Sequence, residues 1–77
     1  MTQQLDVFAY FEGGPGGPKD MHCRSIFESI KGAISIGAGT DLTTNVRDVQ
    51  YRVPAAEAPQ LEQRLKLAGF RTEVRAP

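Results

Sequence analysis

Four groups of residues in this sequence have types and spacing that could do chemistry. The first is His22 and Cys23. Near a helix start, the helix dipole and a neighbouring imidazolium would both favour a thiolate at Cys23. A phosphatase-like loop would place an arginine six residues after the cysteine, and Ser29 stands there instead. Cys23 also lies on an apolar helical stripe, the position of a small core residue. His22 is the one histidine in the chain, so any Ser, Thr or Cys nucleophile would have to use it as base. The second group is Asp6 and Glu12, which could in principle divide acid and base work. They flank a strand with no cleft-forming residues nearby, and a chain this short has little volume for a pocket of about 300 Å³ or more.

The third group is Gly13-Gly14-Pro15-Gly16-Gly17-Pro18, followed by Lys19. A glycine-rich loop before a helix can hold an anion on exposed N–H groups. Neither the phosphate-loop spacing ending in Lys-Ser/Thr nor Gly-x-Gly-x-x-Gly is present, two prolines remove donors, and Asp20 would occupy the positive helix end. Residues 13–19 read as a structural Gly/Pro loop. The fourth group is Phe8 and Tyr10 with Arg52, Arg71 and Arg75. Aromatics beside arginines are the composition of protein interfaces, and also of surfaces on which single-stranded bases stack. The basic, aromatic-rich strand motif of RNA-recognition domains is absent from Arg47 to Val53.

The elements that must carry these groups follow from periodicity. Leu5, Val7, Ala9 and Phe11 alternate with Asp6, Phe8, Tyr10 and Glu12, which predicts a strand with one apolar face. Asp20 is placed to cap a helix whose stripe is Cys23, Ile26, Phe27 and Ile30, running to about Lys31. Ala33 to Ile36 reads either as a short second strand after Gly32 or as a continuation of the helix, since Ile34 sits on the same stripe. Gly37 to Asp41 is rich in turn residues, and Asp41 to Asn45 reads as polar loop. Val49, Tyr51 and Val53 alternate with polar residues up to Pro54, giving another strand. A helix entered through Ala55 to Pro59 presents Ala58, Leu61, Leu65 and Ala68 on one side and ends at Gly69 in a left-handed cap. Phe70, Thr72 and Val74 alternate with Arg71, Glu73 and Arg75 in the last strand.

The expected fold is α+β: a small βαββαβ ferredoxin-like sandwich with two helices on one face of an antiparallel or mixed sheet, or a three-stranded βαβαβ variant if Ala33–Ile36 is helical. Either version buries Leu5, Val7, Phe11, Ile26, Phe27, Ile30, Val49, Tyr51, Val53, Leu61, Leu65, Phe70 and Val74. Either leaves one sheet face open, presenting Phe8, Tyr10, Gln50, Arg52, Arg71, Glu73 and Arg75. The segment Val49-Gln50-Tyr51-Arg52-Val53-Pro54, continuing through Leu61, Leu65, Gly69-Phe70 and Glu73-Val74, covers about a third of the chain. It resembles a strand-helix-strand unit of the regulator of ribonuclease activity B, and also the end of the C-terminal domain of the ribosomal stalk protein. Both families act by binding other proteins, so the resemblance implies an interaction role.

The 77 residues suffice for a single domain, 1–77, with one core. Nine basic and nine acidic side chains cancel, which excludes a dominantly electrostatic nucleic-acid or membrane-surface binder. The zero is a sum of unlike halves, because five of the six arginines follow residue 45. One cysteine permits no internal disulfide, and the start Met-Thr-Gln-Gln-Leu-Asp lacks the layout of a signal peptide, so a reducing cytoplasm is expected. The expectation is a non-enzymatic, regulatory or interaction module of bacterial or phage type, with no cofactor, metal or membrane. It would bind a partner protein, or itself as a homodimer, through Phe8, Tyr10, Arg52, Arg71 and Arg75. The alternative is single-stranded RNA or DNA binding by the same face.

Overall fold

The computed structural model describes residues 3–77. Strand β1 is Gln4–Glu12, helix α1 Pro18–Glu28, β2 Ile34–Asp41 and β3 Val46–Pro54, and helix α2 (Ala58–Leu67) and strand β4 (Arg71–Arg75) complete the order. The sheet runs β2-β3-β1-β4, and every neighbouring pair is antiparallel. The protein is thus an α+β structure, a four-stranded antiparallel sheet with two helices, compatible with a small ferredoxin-like arrangement. Among the described residues no helix is long and apolar enough to cross a membrane.

Alternation in β1 and β3 decides which face is covered. Val7, Ala9 and Phe11 join Val49, Tyr51 and Val53 in one buried cluster with Cys23 and Phe27 of α1 and Ala58, Leu61 and Leu65 of α2. Both helices therefore pack on the same sheet face. Phe27 stacks on Tyr51 with centroids 4.4 Å apart, and Phe11 meets Phe70 edge to face at 5.5 Å. Leu5, Ile26 and Val74, expected in the core, lie at its margin and are only partly buried.

The C-terminal end of α2 follows the expected chemistry closely. Gly69 has φ +94, its N–H donates to the Lys66 carbonyl, and the Phe70 N–H donates to the Leu65 carbonyl. That pair of bonds satisfies the last helical carbonyls and drops Phe70 into the core. At the other end of α2, a single 3₁₀ turn, Ala55–Glu57, precedes the helix, and Pro59 occupies the first turn, where its missing N–H removes no helical bond.

One open alternative is resolved and three expectations are corrected. Ala33–Ile36 is not helical, so the three-stranded variant is not adopted: α1 ends at Glu28, the chain turns through Gly32 at φ +84, and Ile34 begins β2. Gly37–Asp41 is not a turn but the longer part of β2, because pairing with β3 from Gly37↔Gln50 to Asp41↔Val46 offsets the poor strand preference of its glycines. The turn is confined to residues 42–45, where the Asp41 carboxylate accepts the Thr43 N–H and Asn45 adopts φ +57. Finally, the Gly/Pro loop is shorter than 13–19, since Pro18 and Lys19 open α1, and Asp20 sits inside the first turn rather than capping from outside it; Gly17 is the N-cap.

Candidate interaction face

Residues of opposite parity to the core set project from the uncovered sheet face, and strand register arranges them in three rows. Arg52, Asp6 and Arg75 form the first row, Gln50, Phe8 and Glu73 the second, and Asp48, Tyr10 and Arg71 the third. The rows continue onto β2 as Ile34, Gly37 and Gly39. Two of those three positions carry no side chain, leaving a bare shelf beside Gln50 and Asp48.

Phe8 and Tyr10, two residues apart on β1, lie nearly parallel with centroids 6.3 Å apart. Arginines of β4 cover them: the Arg75 guanidinium is 5.3 Å from the Phe8 centroid and that of Arg71 is 5.9 Å from the Tyr10 centroid. Glu73 ties the group together, because it accepts the Tyr10 hydroxyl at 2.9 Å and pairs with Arg75. Hydrogen bonds from Arg75 and Tyr10 hold the Glu73 carboxyl below its ordinary value, while burial and the Glu73 contact push the Tyr10 phenol up.

Arg52 is placed on the same face but does a different job. Its Nε donates to Asp6 Oδ1 at 2.8 Å and its terminal nitrogen to Asp6 Oδ2 at 3.2 Å, a two-point grip that Gln50 completes at 3.1 Å. The Arg52 hydrogen bonds outweigh burial and hold the Asp6 carboxyl below its ordinary value. Of the five residues read from sequence, the structure therefore brings Phe8, Tyr10, Arg71 and Arg75 into one cluster and leaves Arg52 in a neighbouring ion pair. Asp6, read from sequence only as a possible acid/base partner of Glu12, and Glu73, read only as a member of the open face, are the residues that organise it. For Asp6 the available signal was opposite-charge pairing with Arg52 across strands, and it needed the register to be read.

The other candidates resolve into structure. Cys23 has no exposed surface, and burial, aided by the nearby Asp20 charge, pushes its thiol up to about 12. His22 lies exposed on α1, its ring edge-on to Phe70 at 5.8 Å. Asp20 fills the start of α1: it accepts the Gly16 N–H at 3.0 Å and is neutralised by Arg47 at 2.8 Å and Arg24 at 3.3 Å. Burial raises the Asp20 pKa, and the Arg47 bond, the Gly16 N–H and both positive charges more than reverse that, leaving it below its ordinary value. The helix end that could have held an anion is thus occupied by the chain's own carboxylate. Among the described residues, no three His, Cys, Asp or Glu side chains come together as a metal site.

No protein-family model, curated protein or solved structure matches this chain.

Proposed function

We propose that this protein is a non-enzymatic interaction module, with a ferredoxin-like βαββαβ fold, that binds a partner protein through its open sheet face. The observation that carries the reading is the charge pattern of that face. Phe8 and Tyr10 sit among three guanidiniums, of Arg52, Arg71 and Arg75, and five carboxylates, of Asp6, Glu12, Asp41, Asp48 and Glu73. A phosphate backbone meets more repulsion than attraction there, whereas a protein surface of mixed charge around an apolar centre complements it. The rings are also roofed by Arg71 and Arg75, which suits a pre-shaped protein interface and leaves less open ring for base stacking. A single buried thiol is in keeping with a reducing compartment, and on that basis we place the protein in the cytoplasm.

The test is capture on the immobilised full-length chain, comparing wild type with a Phe8→Ala/Arg71→Glu variant, with and without nuclease. A nuclease-resistant protein retained by wild type and lost by the folded variant is the expected result. Equal retention by both overturns the reading, and nuclease-sensitive retention favours single-stranded nucleic acid instead.

A further inference from the structure

The two edges of the sheet are built differently. β4, on one side, is five residues long and carries Arg71, Glu73 and Arg75, the charged and short form that discourages pairing with another chain. β2, on the other side, runs eight residues, and from Ile34 to Thr40 it holds neither a charge nor a proline. Among the described residues its outer edge has no strand beside it. Exposed large apolar side chains also gather there: Ile34 is 55% exposed, Ile36 43% and Leu42, in the turn that follows, 93%.

We infer that the outer edge of β2 pairs with β2 of a second copy, antiparallel about a two-fold axis at Gly39, joining two four-stranded sheets into one. The register is set by the strand itself. A bulge between Ser35 and Gly37 breaks regular pairing with β3, so the regular stretch is Gly37–Asp41, whose centre is Gly39. Antiparallel alignment about that centre places Ala38 opposite Thr40 of the second copy and Asp41 opposite Gly37, where no side chain meets its carboxylate. Ile36 and Leu42 bracket that stretch, so the two-fold places an exposed apolar side chain of each copy at both ends of the paired edge. No like charges face each other in this register, and the backbone N–H and C=O groups of each edge meet their complements. A symmetric self-pairing of this kind closes at two copies. Strand pairing of this length lies at the small end of interface sizes, below about 1,200 Å², so the dimer is concentration-dependent.

This edge borders the open face but uses backbone groups rather than the Phe8 and Tyr10 cluster, and the two proposals fail separately. The experiment measures mass by light scattering on the full chain from about 10 μM to about 1 mM, the range in which weak interfaces dissociate. Wild type is expected to rise toward twice the 8.4 kDa of one chain, and Ile36→Lys to stay at the single-chain mass while keeping its far-ultraviolet circular dichroism. A second variant does not depend on that substitution: Gly39→Cys, whose Cβ would approach only the flexible Asp48 carboxylate at 3.4 Å, is expected to form an intermolecular disulfide at least ten-fold faster than Gln63→Cys on exposed α2, a factor of about 1.4 kcal/mol. Wild type remaining at the mass of one chain throughout, or equal cross-linking of the two cysteine variants, overturns the inference. So does a dimer that survives Ile36→Lys but dissociates in Phe8→Ala/Arg71→Glu, which would move self-association to the open face.

Discussion

Cys23 lies wholly within the core cluster, with its thiol raised from 9.0 to about 12 by burial, so at neutral pH it is a protonated packing residue. A thiol reagent at pH 7 should leave it unmodified in the folded chain and react fully once denaturant is added; rapid stoichiometric reaction with the fold intact would contradict the assignment. Because the folded pKa is raised, the unfolded chain loses the thiol proton first. The stabilisation this gives is complete below pH 9.0 and is lost as pH rises toward about 12. Carboxylates set the acid limb with the opposite sign. Asp6, Asp20 and Glu73 all lie below their ordinary values, 3.8, 3.8 and 4.5, so their stabilisation is present above those values and disappears as pH falls through the lowered ones. Urea midpoints measured from about pH 6 down to about pH 2 should fall through this window. Arg52→Gln, which removes the main cause of the Asp6 shift, should change the shape of that acid limb. Asp20→Ala should be more severe at neutral pH, about 3 kcal/mol, because it strands the buried Arg47 guanidinium.

Glycine positions separate what each element demands. Gly69 and Gly37 look alike in sequence, yet Gly69 holds φ +94 in the cap of α2 and Gly37 lies in β2 with open space where a Cβ would go. Gly69→Ala should therefore cost about 1–2 kcal/mol, and Gly37→Ala should fall within about 0.5 kcal/mol of wild type, by thermal or urea unfolding. Equal costs would mean that the left-handed cap is not what ends α2. The same contrast explains which elements could be read in advance. Leu5 to Phe11, Val49 to Val53 and Leu61 to Leu65 repeat at the period of their own element and bury that face, so β1, β3 and α2 were visible from spacing. β2 was seen only at its start because Gly37, Ala38, Gly39 and Thr40 carry no apolar alternation. Those residues are strand through pairing with β3, a long-range cause that local sequence does not display. The start of α1 was misplaced for a related reason: Pro18 resembles loop in isolation but fits a first helical turn, and Asp20 serves Arg47 from 27 residues away as well as its own helix.

At the scale of the molecule, two helices cover one sheet face and the other remains a patterned surface of aromatics, arginines and carboxylates. That Phe8, Tyr10, Arg52, Arg71 and Arg75 share this face was legible from alternation alone, since parity fixes the face. Their division of labour was not, because Arg52 is held by Asp6 while Arg71 and Arg75 lie over the rings. A neutral chain whose open face carries more carboxylates than guanidiniums should bind with weak salt dependence, without the steep slope of about −0.9 per phosphate contacted in log affinity against log salt. The most direct test of the open face is the dissociation constant for the captured partner, compared between wild type and a folded Phe8→Ala/Tyr10→Ala variant. A weakening of about ten-fold or more is predicted, the effect of losing about 1.4 kcal/mol or more from a central aromatic anchor. An unchanged constant would contradict the assignment of binding to this face.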